Sequence, residues 1–157
     1  MAPAHHPSGQ ALANFLVGDC SPGASLLIAQ HLTHCARCSS QVHAMGSVGA
    51  TAAPLNFGEA EPLAPGLEIA LVEGAGGLGE EVYRVRAAPG VTLPQHAPCP
   101  AVEILVLEGG IEADGVVYRA GDYLSLEEDP KAHLASDPTA GCIYLKATHV
   151  PAGPAAD

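Results

Sequence analysis

The residues best able to do chemistry lie close together in His31-Leu-Thr-His34-Cys35-Ala-Arg-Cys38. His31 and Cys35 stand four apart, the spacing that makes two side chains neighbours on a helix. Cys35 and Cys38 form a Cys-x2-Cys knuckle, which lets two thiolates reach one tetrahedral ion. A closed structural site takes a fourth ligand. His5 or His6, just ahead of the first expected helix, supplies it. Two thiolates and two neutral imidazoles neutralise Zn2+, so the site can be buried without net charge. The competing reading is a redox pair or two incidental core cysteines. A His four residues upstream has no role in a thioredoxin-like motif, which favours structural zinc. His34 reads as a surface residue and His43 as a plain helix residue. Cys20 and Cys142 read as small packing residues.

A second set lies downstream. Gly90-x5-His96 leads to Glu103, and Gly110 follows seven residues later. Gly121 then precedes Pro130-x2-His133. The pattern resembles the two-part cupin motif, and that resemblance implies that these two His and one carboxylate make an open set for a divalent metal. Such a set suits non-haem Fe(II) and also accepts Zn, Mn or Ni. Its bland alternative is a barrel in which His96 and His133 are satisfied by hydrogen bonds. Ser125-Leu-Glu-Glu-Asp-Pro reads as a solvated charged loop.

The elements that must position these groups fall in two parts. Residues 1–50 hold one cation (Arg37), one anion (Asp19), five of the eight His and three of the five Cys. They read as helical. Ser8 is a candidate N-cap, Leu12, Phe15 and Leu16 follow at helical spacing, and Gly18 is a stop. Ser21-Pro22 is a cap followed by a first-turn proline. Ala24, Leu27, Ile28, His31 and Cys35 then share one face, with Leu26 pointing elsewhere. A third helix starts near Cys35–Cys38, with Cys38, Val42 and Met45 on one face. Fifty residues bury little apolar surface, and domains of that size usually need a staple such as a metal.

Residues 51–65 read as a linker, because Pro54, Pro62, Pro65 and Gly66 interrupt any periodicity. From residue 66 to about 150 short runs at 8–12-residue spacing suggest an all-β sandwich or barrel. The expected strands are Leu67–Val72, Glu81–Ala87, Leu93–His96, Val102–Glu108, Val116–Tyr118, Asp122–Leu126 and Cys142–Lys146. The run from Glu103 to Gly109 is apolar on both faces, as an inner strand requires. The fold class expected is thus a small all-α zinc-binding domain followed by an all-β barrel.

Two resemblances fit this division. His6 followed by His31-x3-Cys35-x2-Cys38 between short helices is similar to the zinc-binding anti-sigma domain of bacteria, and specifically to the ChrR-type anti-sigma factors. That resemblance implies that His6, His31, Cys35 and Cys38 hold a structural zinc. It also implies that the helices grip an extracytoplasmic-function sigma factor. The second part resembles the two-part cupin motif, a small jelly-roll barrel around a metal. There the first part reads His-x-His-x4-Glu and a third His comes from the second part. His96, Glu103 and His133 match, whereas Pro98 stands at the second His. Cys99 is one residue away, and strand alternation points it to the opposite face.

The chain has 157 residues with 6 Lys+Arg against 17 Asp+Glu, a formal charge of -11. All of that net charge belongs to the second part. Direct nucleic-acid binding rests on Lys/Arg neutralisation of phosphates, so this acidity excludes it. No apolar run reaches the ~18 residues of a membrane span. No Lys or Arg precedes Arg37, so a secretory leader is not expected and the compartment expected is the cytoplasm. Five Cys is an odd number, which argues against a pure disulfide framework. The resemblance implies an anti-sigma factor released by oxidative-type stress, singlet oxygen or peroxide, sensed through the cupin part. The alternatives are a non-haem iron dioxygenase-like cupin enzyme and a thiol-redox zinc switch. A homodimer through the barrel is a further expectation.

Overall fold

A computed structural model describes residues 3–45, 55–74, 80–93, 101–127 and 134–149. Three helices come first: α1 (Gly9–Leu16), α2 (Pro22–His34) and α3 (Ala36–Ala44). Their ends follow local chemistry. The Ser8 hydroxyl accepts the N–H of Ala11, and the Ser21 hydroxyl accepts that of Ala24. Each satisfies a donor that the first helical turn leaves unpaired. Pro22 sits in the first turn of α2, where its missing N–H costs nothing. Cys35 ends α2 and caps α3 in extended conformation (φ -130°, ψ 100°). The chain turns a corner there, where a third helix is expected to start, and the Cys35 sulfur accepts the N–H of Cys38 at 3.4 Å.

Among the described residues eight antiparallel strands follow: β1 (Glu61–Ala64), β2 (Leu67–Leu71), β3 (Glu80–Ala87), β4 (Ala101–Ala113), β5 (Val116–Arg119), β6 (Tyr123–Glu127), β7 (Leu134–Ser136) and β8 (Cys142–His149). The order is β1-β2-β3-β8-β4-β5, with β6 and β7 also pairing β4. The first half of β4 pairs β6 and β8, and the second half pairs β5 and β7. One long strand thus links two walls of a barrel. A bulge between Val106 and Glu108 lets it do so. Gly109 sits there at φ +71°, and a Cβ on it would meet the Gly141 carbonyl. That contact explains why β4 runs through the glycines at which the expected strand stops.

Two further expectations are corrected. The stretch expected to be linker contains β1, and Phe57 bridges Val72. Pro62 misleads because β1 is an exposed edge strand, the place where a proline costs no ladder bond. Leu26 is half-buried against the helical core rather than turned away from it. Of Leu93–His96 only Leu93 is described: its N–H donates to the Leu134 carbonyl, and Thr92 before it bridges Ala135. Pro94–Pro100, including His96, Pro98 and Cys99, lies outside the described residues, as does His133.

The apolar residues form two clusters on opposite faces of one sheet. Val85, Ala87, Ile104, Val106, Leu124 and Tyr144 pack with Ile111, Ala113 and Leu134 of the other wall, filling the barrel. Val82, Leu105, Tyr123, Leu145 and Ala147 alternate with them and pack instead with Leu12, Leu27, Ile28, Leu32, Cys35, Cys38 and Val42 of the helices. The helices therefore share a core with the outside of the sheet. This is why the run from Glu103 to Gly109 is apolar on both faces: one is barrel interior, the other the floor beneath the helices.

Candidate metal centre

His6, His31, Cys35 and Cys38 come together, each offering one donor atom, with all four atoms within 4.8 Å of one another. His6 Nδ1 lies 3.4 Å from both the Cys35 and the Cys38 sulfur. An ion at ~2.3 Å from sulfur and ~2.0 Å from nitrogen in tetrahedral geometry sets such pairs about 3.5 Å apart. The corner at Cys35 aims both sulfurs at one point: Cys35 closes α2, and Cys38 lies one turn into α3.

His31 decides what the centre suits. It is fully buried, at 0% exposure. Its Nδ1 donates to the Gly121 carbonyl at 2.7 Å, while its Nε2 has no hydrogen-bond partner. A buried nitrogen without a partner is costly. A metal ion is the group that would use its lone pair, and a backbone carbonyl on the other nitrogen is the usual partner of a ligating His. Burial lowers the His31 pKa, against the opposing bond to Gly121, and burial followed by the nearby Arg37 lowers that of His6. Both shifts favour the neutral ring, the ligating form. Burial first, then the neighbouring Cys35, pushes the Cys38 thiol up to about 12. Two sulfurs and two imidazoles with no carboxylate fit zinc better than a hard cation.

Of the two candidate fourth ligands, His6 joins the cluster and His5 does not. His5 turns to the barrel, with Nδ1 3.1 Å from Asp122 Oδ2 and its ring 4.3 Å from that of Tyr118. His34 and His43 are exposed, Cys20 is half-buried and Cys142 is buried in the barrel. The residues that sequence reasoning missed are in the turn between β5 and β6. Asp122 is 2% exposed and accepts the N–H of Ala4, His5 and Arg119 at 2.7, 3.1 and 2.8 Å. Burial works to raise its pKa, but these bonds and His5 outweigh burial and hold it below the usual carboxylate value. Gly-Asp reads as turn chemistry, and no local spacing ties residue 122 to residue 5.

Glu103 does not belong to an inward-facing ligand set. Its carboxylate accepts the hydroxyls of Tyr123, at 2.5 Å, and of Ser125. It lies on the same face as Leu105 and Tyr123, outside the barrel, whereas Val102 packs inward with Ile104 and Val106. Side chains alternate along a strand, so an offset of one residue reverses the face. The open set of two His and one Glu read from the motif thereby loses its carboxylate.

No curated protein sequence matches the chain. Among solved structures it is similar to a chain of the Rhodobacter sphaeroides SigE complex with the anti-sigma ChrR. The TM-score is 0.78 at 21% identity, covering 92% of this chain and 98% of that one. It is also similar to an RmlC-like cupin from Shewanella frigidimarina, at TM-score 0.50 and 22% identity, covering 62% of this chain and 87% of that one. The first likeness spans helices and barrel, the second a share close to that of the barrel. Residues 55–151 match the family described as the ChrR cupin-like domain. On that match over more than half its length, the chain belongs to the ChrR cupin-like domain family.

Proposed function

We propose that the chain is an anti-sigma factor whose helical unit, held by a structural zinc on His6, His31, Cys35 and Cys38, binds an extracytoplasmic-function sigma factor. The observation that carries this reading is the buried, partnerless Nε2 of His31 within reach of two sulfurs and a second imidazole. Family membership and a fold likeness that spans both parts of the chain support it. Zinc would supply the cross-link that three short helices lack. The acidic barrel suits a partner with basic, DNA-binding surfaces, since complementary charge speeds encounter. Among the described residues no helix is long and apolar enough to cross a membrane.

Release of the partner on oxidative stress, sensed through the barrel, belongs to the same proposal. The enzyme alternative is weaker, because Glu103 faces away from the barrel interior. The test is co-expression of the full chain with candidate sigma factors. A stable complex that carries one zinc per chain and blocks transcription from the sigma factor's promoter is expected. Failure of every zinc-loaded pair to associate would overturn the reading.

A further inference from the structure

We propose that the barrel turn Gly121-Asp122-Tyr123 positions the zinc ligands His6 and His31, so that zinc loading and docking of the helices on the barrel are one linked equilibrium. This rests on the zinc reading above.

Three consecutive residues hold the ligands or the segment beside them. The Gly121 carbonyl accepts from His31 Nδ1 at 2.7 Å and so turns Nε2 toward the other donors. The Asp122 carboxylate takes the N–H groups of Ala4 and His5, and its Oδ2 lies 3.1 Å from the His5 ring nitrogen. The Tyr123 N–H donates to the His5 carbonyl at 3.0 Å, and the Tyr123 ring meets that of His31 edge-on. His5, the residue that precedes ligand His6, is thus pinned on its N–H, its carbonyl and its ring. Gly121 has φ +92°, and a Cβ on it would fall 2.9 Å from Pro3 Cγ, so the N-terminal segment lies directly on the turn.

Other contacts hold the helices to the barrel without touching the centre. Glu80 of β3, 7% exposed, accepts the Gly23 N–H at 2.7 Å at the start of α2, where the helix dipole favours an anion. The shared apolar core does the rest. The effect of the turn is therefore separable from docking in general. Partners of metal ligands typically alter metal affinity by about 10- to 100-fold. Coupling of this kind is reciprocal: if the turn favours the ligating arrangement, zinc must favour the docked turn.

The test uses the full chain. Zinc stoichiometry comes first, then affinity by competition with a chromophoric chelator. Asp122→Ala is expected to weaken zinc binding by about tenfold or more, while Glu68→Ala, at a surface ion pair with Arg86, leaves it unchanged. Equal affinity of Asp122→Ala and wild type would overturn the proposal. If Asp122→Ala does not fold, amide exchange on the wild-type chain decides. Removing zinc is expected to speed exchange at the Tyr123 and Arg119 N–H about tenfold or more, with amides between β2 and β3 unaffected. Unchanged exchange at the turn with one zinc bound at the start overturns this proposal alone. A wild-type chain that takes up no zinc overturns the zinc reading together with it.

Discussion

The sheet of β3, β8 and β4 has two buried faces, and they are closed in different ways. The inner face is covered by the barrel's own second wall, and its described residues are mostly aliphatic. The outer face is covered by helices α1, α2 and α3 and, among the described residues, gathers the His/Cys cluster, Asp122, Glu80 and Glu103. A barrel closes itself through backbone pairing. Helices of 8, 13 and 9 residues gain little from their own hydrogen bonds, since helices that short are marginal in water. They need the sheet as a floor and a cross-link where they meet it. The chemistry gathers where the fold is least self-sufficient.

Cys38→Ser should separate the two faces most sharply. Structural zinc sites contribute roughly 10–16 kcal/mol in apparent terms, so losing one of four ligands should weaken zinc binding by at least about 100-fold. After dialysis against a chelator the variant is expected to hold no zinc and to lose helical circular dichroism. The strand signal should persist, because the inner cluster contains no helical residue. Loss of both signals in one transition would show that the two faces do not differ in this way.

A finer cut compares neighbours. Leu105 and Ile104 are 0% and 1% exposed and point to opposite faces. Truncating either to Ala should cost about 2–5 kcal/mol. Only Leu105→Ala removes the floor beneath the helices, so only it should speed zinc loss to a chelator at a temperature where both variants remain folded. Equal zinc release from the two would mean that the helices do not depend on that face.

The same contrast governs how much could be read in the sequence. The helical part was legible because its signals are local. Ser8, Ser21-Pro22 and the His-x3-Cys-x2-Cys spacing act within one or two turns, and each element stands where these residues place it. Within that part Leu26 differs, packing against the helical core instead of pointing away from it. In the barrel the strand rhythm was legible, but the face was not. Whether Glu103 or Val102 points inward depends on a single residue of register, fixed by pairing with Ala147 and Ser125 far along the chain. The role of Asp122 was invisible for the same reason: its partners Ala4 and His5 are 118 and 117 residues away.

Glu103→Gln tests the register argument with the smallest expected effect. As a metal ligand Glu103 would be sensitive to this change, because the amide ligates poorly. As placed here, it is a structural acceptor for the Tyr123 and Ser125 hydroxyls. Gln keeps one acceptor oxygen and puts an NH2 group at the other position, so one hydroxyl must turn away or find water. Tyr123 is 3% exposed, and a hydrogen bond to a charged acceptor contributes about 1.5–3 kcal/mol. Glu103 itself is half-buried, which lets water recover part of that. A loss of about 1–2 kcal/mol in denaturant unfolding is expected, with the metal content of the purified chain equal to that of wild type. A chain that loses a bound metal on this substitution while its Cys35–Cys38 centre stays loaded would place the carboxylate inside the barrel and reverse the assigned face of β4. Equal metal content with reduced stability keeps Glu103 on the floor under the helices, where it supports Tyr123 and, through that ring, His31.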